Sequence, residues 1–264
     1  MSEYLRRQGR SLQTPQRVYT HPGTGRRVTL IGMVHVAEPR YFAEVKEAIE
    51  KCEANGAVVH NEGSAKRLAD ESVIGLTPGE AELIQELQRC ERLKAQRLPM
   101  FGWADQNIAM LPYPDTWQFI DLSRVEIIRM TGTEELLRNT RRMNHMMDWA
   151  DGDTKTPYAC RLSIAVAFRR CASNSPRVQK KLVQPIHRVL IDHRNKVALD
   201  AVHASTQDVV LVWGATHLPG MEADLRAHGY VRLEEAWRTA FQLPSVIGSL
   251  WGMVRGKPLV ASTQ

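Results

Sequence analysis

Long apolar runs are missing from this chain. No stretch reaches the roughly 18–20 apolar residues that a membrane-spanning helix needs, so no membrane span is expected. Met1 to Arg17 is polar and basic without an apolar core, so no secretory signal peptide is expected there. Cysteine is scarce: Cys52, Cys90, Cys160 and Cys171 form no Cys-x-x-Cys pair, and none adjoins a His at zinc-finger spacing. A disulfide framework is therefore not expected, and structural thiols in a cytoplasmic protein are. A Cys–His pair assembled only by folding stays open. Several catalytic signatures are missing as well. There is no Gly-x-Ser-x-Gly elbow, no P-loop, no Gly-x-Gly-x-x-Gly after a strand and no His-Glu-x-x-His helix.

Charge of one sign is not in great excess, with a net charge of +6. The densest basic run is Arg169-Arg170 with Arg177, Lys180 and Lys181, and Arg141-Arg142 adds to it. It has no interleaved aromatics and no helix-turn-helix pattern. A solvated helix face, or a grip on an anionic partner, is expected rather than nucleic-acid binding.

What the chain does have is one pattern written twice, near opposite ends. Val28–His35 (VTLIGMVH) and Val209–His217 (VVLVWGATH) each run from an apolar β-branched strand into Gly-x-x-His, with Gly32 and Gly214 at the turns. Each is followed by a Pro and a helix-like segment. A strand–turn–helix of this kind puts the His at the carboxyl end of a parallel strand, where open α/β sheets build their sites. The spacing alone is weak; the strand before and the helix after give it weight. One site made from both ends of the chain, and using imidazole, is expected.

The organisation agrees with this. Arg17–Thr20 and Arg27–Ile31 flank a turn-rich pentad and predict a hairpin. Pro39–Ala54 has Phe42, Val45, Ile49 and Cys52 at helical spacing, and Ala57–Glu62 then predicts a short buried strand, completing a βαβ unit. Thr77-Pro-Gly-Glu80 has the spacing of a capping box ahead of a helix over Ala81–Arg97. Trp117–Asp121 predicts a strand and Arg124–Asn144 a helix interrupted near Gly132. Residues 143–157 predict a lid or insertion. Val178–Ser205 predicts the longest helix, Val209–Trp213 a strand, Pro219–His228 a helix, and Tyr230–Leu233 a last strand. The fold class expected is α/β, a single domain whose central mixed, largely parallel sheet is flanked by helices, with a helical middle insertion. Residues 1–16 are expected as a polar arm, 17–243 as the domain and 244–264 as a tail.

Glu62 closes its strand where His35 closes the previous one, so the two side chains can converge. Two neutral His and one carboxylate leave an open position on a divalent metal, a set used by hydrolytic sites. A carboxylate ending a buried strand can also be only a helix N-cap. His60 lies two residues before Glu62 and faces the same way on a strand, as an alternative ligand or a partner for the carboxylate. His193 and Arg194 border the inward stripe of the long helix. A buried Arg needs an anionic partner, which Glu62 or charge developing on a substrate would supply; otherwise its stem packs and its head reaches solvent. Asp121 could be a base, a ligand or a helix N-cap, and N-capping is the expected role because it needs no special site.

Gly32-Met-Val-His35, Glu62 about a helix later, Arg194-Asn195 on a long helix, and Gly214-Ala-Thr-His217-Leu-Pro-Gly220-Met resemble the TraB/PrgY/GumN family. That family includes the TIKI proteases and is grouped with erythromycin-esterase-like and ChaN-like proteins. The resemblance spans about residues 28 to 233. Its most specific part is the Gly214–Met221 stretch, with Leu225 and Gly229-Tyr230 behind it. The resemblance implies a metal-dependent hydrolase in which His35, Glu62 and His217 hold the metal and Arg194 is the family's characteristic Arg. It favours Mn or Co, with Zn and Fe also open to these ligand types. TIKI members cleave peptide bonds near a protein's amino terminus, and other members are linked to shutting down a peptide pheromone. The family often has Glu before that Arg, and His193 stands there here. A hydrolase of peptide or amide bonds is therefore expected, esters next, with Arg194 neutralising an oxyanion or holding Glu62. Two alternatives stay open: a protein that sequesters a peptide or small molecule without turnover, and metal-free catalysis with His35 or His217 as base.

Overall fold

The computed structural model describes residues 4–63, 75–148 and 189–242. The chain enters with β1 (Arg6–Gln8), β2 (Ser11–Thr20) and β3 (Arg27–Met33), then a two-residue strand β4 (Val36–Ala37), helix α1 (Pro39–Ala54) and β5 (Val58–Asn61). The middle holds α2 (Pro78–Arg97), β6 (Ala104–Asp105), α3 (Gln106–Ala109), β7 (Gln118–Phe119), α4 (Arg124–Thr131) and α5 (Thr133–Asp148). A π turn over Val189–His193 runs directly into α6 (Arg194–Ala204), followed by β8 (Val209–Gly214), α7 (Leu218–Ala227) and β9 (Val231–Gln242). The architecture is α/β, with a mixed seven-stranded sheet flanked by helices. No helix among the described residues is long and apolar enough to cross a membrane.

The order of the central strands positions the site. β3, β8, β5 and β7 lie side by side, all parallel, with β8 inserted between β3 and β5, which follow one another among the strands of this sheet in the early chain. Leu30 pairs with Leu211, and Leu211 in turn with His60. β8 is buried at every position, and β3 at all but Arg27, because helices cover both faces of the sheet. That is why these strands read as continuous apolar runs rather than alternating ones. Alternate residues serve opposite cores. Ile31, Met33, Val59, Val210 and Val212 pack with Tyr41, Phe42, Val45 and Ile49 of α1. Val28, Leu30, Val209, Leu211 and Trp213 pack with Ala198, Leu199 and Val202 of α6 and Leu218, Met221 and Leu225 of α7. Each such buried aliphatic side chain contributes roughly 1.5–3 kcal/mol.

Several expectations need correction. Much of the segment expected as a polar arm is sheet: β1 and the first half of β2 lie within residues 1–16. β2 is antiparallel to β3 on one side and to the twelve-residue β9 on the other, so Gln13, Thr14 and Arg17 are buried. They are also partnered: Thr14 bonds Tyr41 (2.9 Å), Gln13 bonds Thr239 (3.2 Å), and Arg17 pairs with Glu222 and Glu235. The last strand accordingly runs far beyond Leu233. Elsewhere α1 falls where the periodicity places it, and α2 starts with the capping box of Thr77 and Glu80. The strand expected over Trp117–Asp121 is reduced to Gln118–Phe119, and the π turn interrupts the long helix before Arg194. The first half of that helix, most of the 143–157 segment, the basic run 169–181, Cys160, Cys171 and the tail lie outside the described residues. Cys90 is buried, Cys52 half-buried, and both are free thiols.

Candidate functional site

Four parallel strands end at one edge of the sheet, and each delivers a polar residue just past its end. His35 follows β3, His217 follows β8, Glu62 follows β5 and Asp121 follows β7. Glu62 is fixed there by its own backbone, whose N–H donates to Val212 O (2.9 Å). α6 starts at the same edge and brings Arg194 and Asn195.

Arg194 ties two strand ends together. Its Nη2 donates to Glu62 Oε1 (2.6 Å) and Asp121 Oδ2 (2.6 Å), and its Nε to Asp121 Oδ1 (2.9 Å). The guanidinium also lies over the Trp213 ring, 5.4 Å from its centroid. Of its donors, Nη1 makes no hydrogen bond among the described residues. The second oxygen of Glu62 accepts from Gly214 N–H. Burial alone would raise the Glu62 carboxyl, but the Arg194 charge, then those of His217 and His35 and the Gly214 N–H, bring it down to about 2. Arg194 is raised: burial opposes its charge, and its bonds to Asp121 and Glu62 more than offset that. The structure thus gives the buried Arg its anionic partners. Asp121 is not the helix cap expected of it. Ser123 caps α4, with Glu126 completing a capping box, while Asp121 accepts from Gly63 N–H (3.1 Å) and Leu122 N–H (2.8 Å) besides Arg194.

The residue after Arg194 sets His217. Asn195 Nδ2 donates to His217 O (3.1 Å), so its Oδ1 is the acceptor for His217 Nδ1–H (2.6 Å). This fixes the tautomer and leaves the Nε2 lone pair, 3.7 Å from Glu62 Oε1. His217 is buried, and burial pushes its pKa down to about 4, with Glu62 opposing and Arg194 adding to the fall. The ring is therefore neutral at pH 7.

His35 is held in the same way from another element. β4 and β6 pair antiparallel with Val36 opposite Asp105, which sets Gln106 opposite His35. Gln106 N–H donates to His35 O (2.8 Å), and Gln106 Oε1 accepts from His35 Nδ1 (3.1 Å). Both Gly-x-x-His imidazoles thus have Nδ1–H on a carboxamide, and neither Nε2 makes a hydrogen bond among the described residues. His35, unlike His217, is exposed.

The glycines serve close packing. A Cβ at Gly214 would lie 3.1 Å from Glu62 Oε2, and one at Gly32 would lie 3.1 Å from Pro15 O and from Leu218 Cδ2. His60 is buried on the α6–α7 side with Nδ1 unpartnered among the described residues, and burial lowers its pKa. It makes no hydrogen bond to Glu62. His193 is exposed on the π turn and makes no hydrogen bond among the described residues. Asn195 as a holder of His217, and Gln106 as its counterpart at His35, are functional residues the sequence reading did not assign. Asn195 sat beside Arg194 in the motif, but Gln106 follows a two-residue strand and carries no pattern signal.

The donor types suit a divalent cation, but the arrangement does not. Both Glu62 oxygens already accept hydrogen bonds, one of them from a guanidinium. The ligand atoms of His35, Glu62 and His217 do not all come within 4.8 Å of one another, a condition met among the described residues by His203, Asp224 and His228. No step through a metal follows from this geometry. Comparison with protein families, with curated proteins and with solved structures gives no match to this chain.

Proposed function

We propose that this site hydrolyses peptide, amide or ester bonds, with His217 as general base and Arg194 as the group that stabilises the oxyanion. The observation that carries the proposal is the buried His217 ring, held by Asn195 through Nδ1 with Nε2 3.7 Å from the Glu62 carboxylate. A water within reach of both acceptors gives one proton to His217 Nε2 while its oxygen attacks the substrate carbonyl. The imidazolium forms beside Glu62, whose charge favours it. Negative charge on the carbonyl oxygen is met by Nη1 of Arg194, which makes no hydrogen bond among the described residues, donors of this kind being worth about 3–4 kcal/mol each. Collapse of the adduct breaks the bond to the amine or alcohol, which takes the proton back from His217. Glu62 and Asp121 keep Arg194 in place, and His35 at the exposed rim orients the substrate. A peptide or amide substrate rests on the TraB/PrgY/GumN resemblance.

The test is turnover of a fluorogenic peptide library and of aryl esters by the full chain, with and without chelator. His217→Ala is expected to lower kcat/KM about 10²–10⁴-fold, the usual contribution of a positioned base. Turnover at the wild-type rate in that variant would sink the proposal. Chelator-sensitive turnover restored by Mn or Co would move the reaction to a metal on His35, Glu62 and His217. Saturable peptide binding with the ligand recovered intact would make the protein a sequestering one.

A further inference from the structure

α6 and α7 both begin beside the candidate site and run back along the sheet. At 1.5 Å per residue, their far ends lie about 15 Å away, at the opposite edge. There His203, in the last turn of α6, meets Asp224 and His228 at the end of α7. His203 Nε2 lies 2.7 Å from Asp224 Oδ1, and His228 Nδ1 lies 3.1 Å from the same oxygen. The two imidazole rings are 4.0 Å apart between centroids. One ligand atom from each of the three residues lies within 4.8 Å of the others. No hydrogen bond links this group to the polar residues of the candidate site.

We propose that His203, Asp224 and His228 form a binding site for a borderline transition-metal dication, Zn²⁺ first, which clips the end of α6 to the end of α7. Two imidazole nitrogens and one carboxylate oxygen are ligands that zinc takes, whereas calcium and magnesium ask for oxygen alone. The three donors are gathered around one point; on binding, the cation displaces the proton shared between His203 and Asp224, and His228 gives up its Nδ1–H bond to the Asp224 backbone carbonyl (2.9 Å). The side chains are 27%, 35% and 52% exposed for His203, Asp224 and His228, so an ion can reach them from solvent. Three protein ligands leave a fourth tetrahedral position, open to water or to a ligand from another molecule. Fixing both helix ends also anchors Arg194 and His217, which lead those helices.

Zinc chloride titrated calorimetrically into the full chain tests this, with Co²⁺ as a second probe read by its visible absorption. The wild type is expected to bind, while His203→Ala and His228→Ala each weaken affinity at least tenfold and lose the cobalt band. His228 is the most exposed of the three, so its replacement leaves the fold intact by circular dichroism even if that of His203 does not. The double variant His35→Ala/His217→Ala is expected to keep this binding. Wild-type affinity in His228→Ala, or no binding by the wild type, overturns the proposal. So does binding lost only in the double variant, which would assign the cation to the candidate hydrolytic site.

Discussion

Asn195 holds His217 at two points, donating from Nδ2 to its carbonyl (3.1 Å) and accepting from its ring Nδ1 (2.6 Å). A neutral amide at this place fixes the tautomer without favouring the charged ring. Asn195→Asp substitutes a carboxylate for it, and an adjacent opposite charge raises a histidine pKa by about 1–3 units. His217 acts as base only when neutral, so the acid limb of kcat/KM, expected near pH 4 in the wild type, moves to higher pH in this variant. A pH profile that does not move would separate Asn195 from the chemistry. Asn195→Ala is expected to lower kcat across the whole pH range, because the buried Nδ1–H loses its acceptor.

Gly220 explains why the second motif continues past its histidine. A Cβ at this position would come within 2.5 Å of Asn195 Nδ2. Gly220→Ala must displace the amide, and overpacking of this kind costs about 1–3 kcal/mol. Urea unfolding is expected to show that loss together with a fall in activity resembling Asn195→Ala. Gly79→Ala is the control, since its Cβ meets only Thr133 Cγ2 at an ordinary 3.5 Å. It sits in the first turn of α2 and should leave both quantities close to wild type.

Arg194 carries more of the fold than of the pattern that located it. Removing it leaves Glu62 and Asp121 buried without their cation, and breaking a buried pair in this way costs about 3–5 kcal/mol. Arg194→Met is therefore expected to be strongly destabilised at neutral pH, measured by the urea midpoint. Adding Glu62→Gln and Asp121→Asn should return much of the loss by removing the orphaned charges. Arg194→Lys is expected to rescue poorly, because one ammonium cannot reproduce the guanidinium fork across two carboxylates. A lysine variant as stable as the wild type would contradict the bidentate geometry.

The central parallel strands were legible because burial on both faces made them uninterrupted apolar runs, and α1 because one face alone is buried. The same runs pointed to His35, Glu62 and His217, since strand ends are where a sheet presents side chains. Of β2 and β9 only Arg17–Thr20 and the start of β9 up to Leu233 were legible. Gln13, Thr14 and Arg17 of β2 are buried by partners from distant parts of the chain, such as Glu222 and Glu235 on Arg17, and Glu234 to Ala236 of β9 are solvent-exposed. Local periodicity cannot register either condition. Asp121 was misread because Ser123, two residues on, takes the cap and frees the carboxylate for Arg194. Gln106 depends on a two-residue strand pairing, and the His203–Asp224–His228 group on the packing of two helices.

Acid should weaken this fold in two stages. His217 titrates near 6.5 when unfolded and at about 4 when folded, so unfolding takes up a proton between those values. Stability is full above about pH 6.5 and declines as pH falls toward 4. Glu62 goes from its ordinary 4.5 down to about 2 on folding, and its contribution is full above 4.5 and lost as pH falls through 2. Each shift corresponds to at most about 3 kcal/mol. Urea unfolding at pH 7, 5.5 and 4 should therefore show a decline that begins before carboxylates protonate. His217→Gln removes one of the two buried rings whose pKa burial lowers, the other being His60, so the loss between pH 6.5 and 4 should shrink while that below 4.5 persists. A wild-type stability that stays level from pH 7 to 4 would mean that His217 is not buried in its neutral form, and its assignment as base would fall with it.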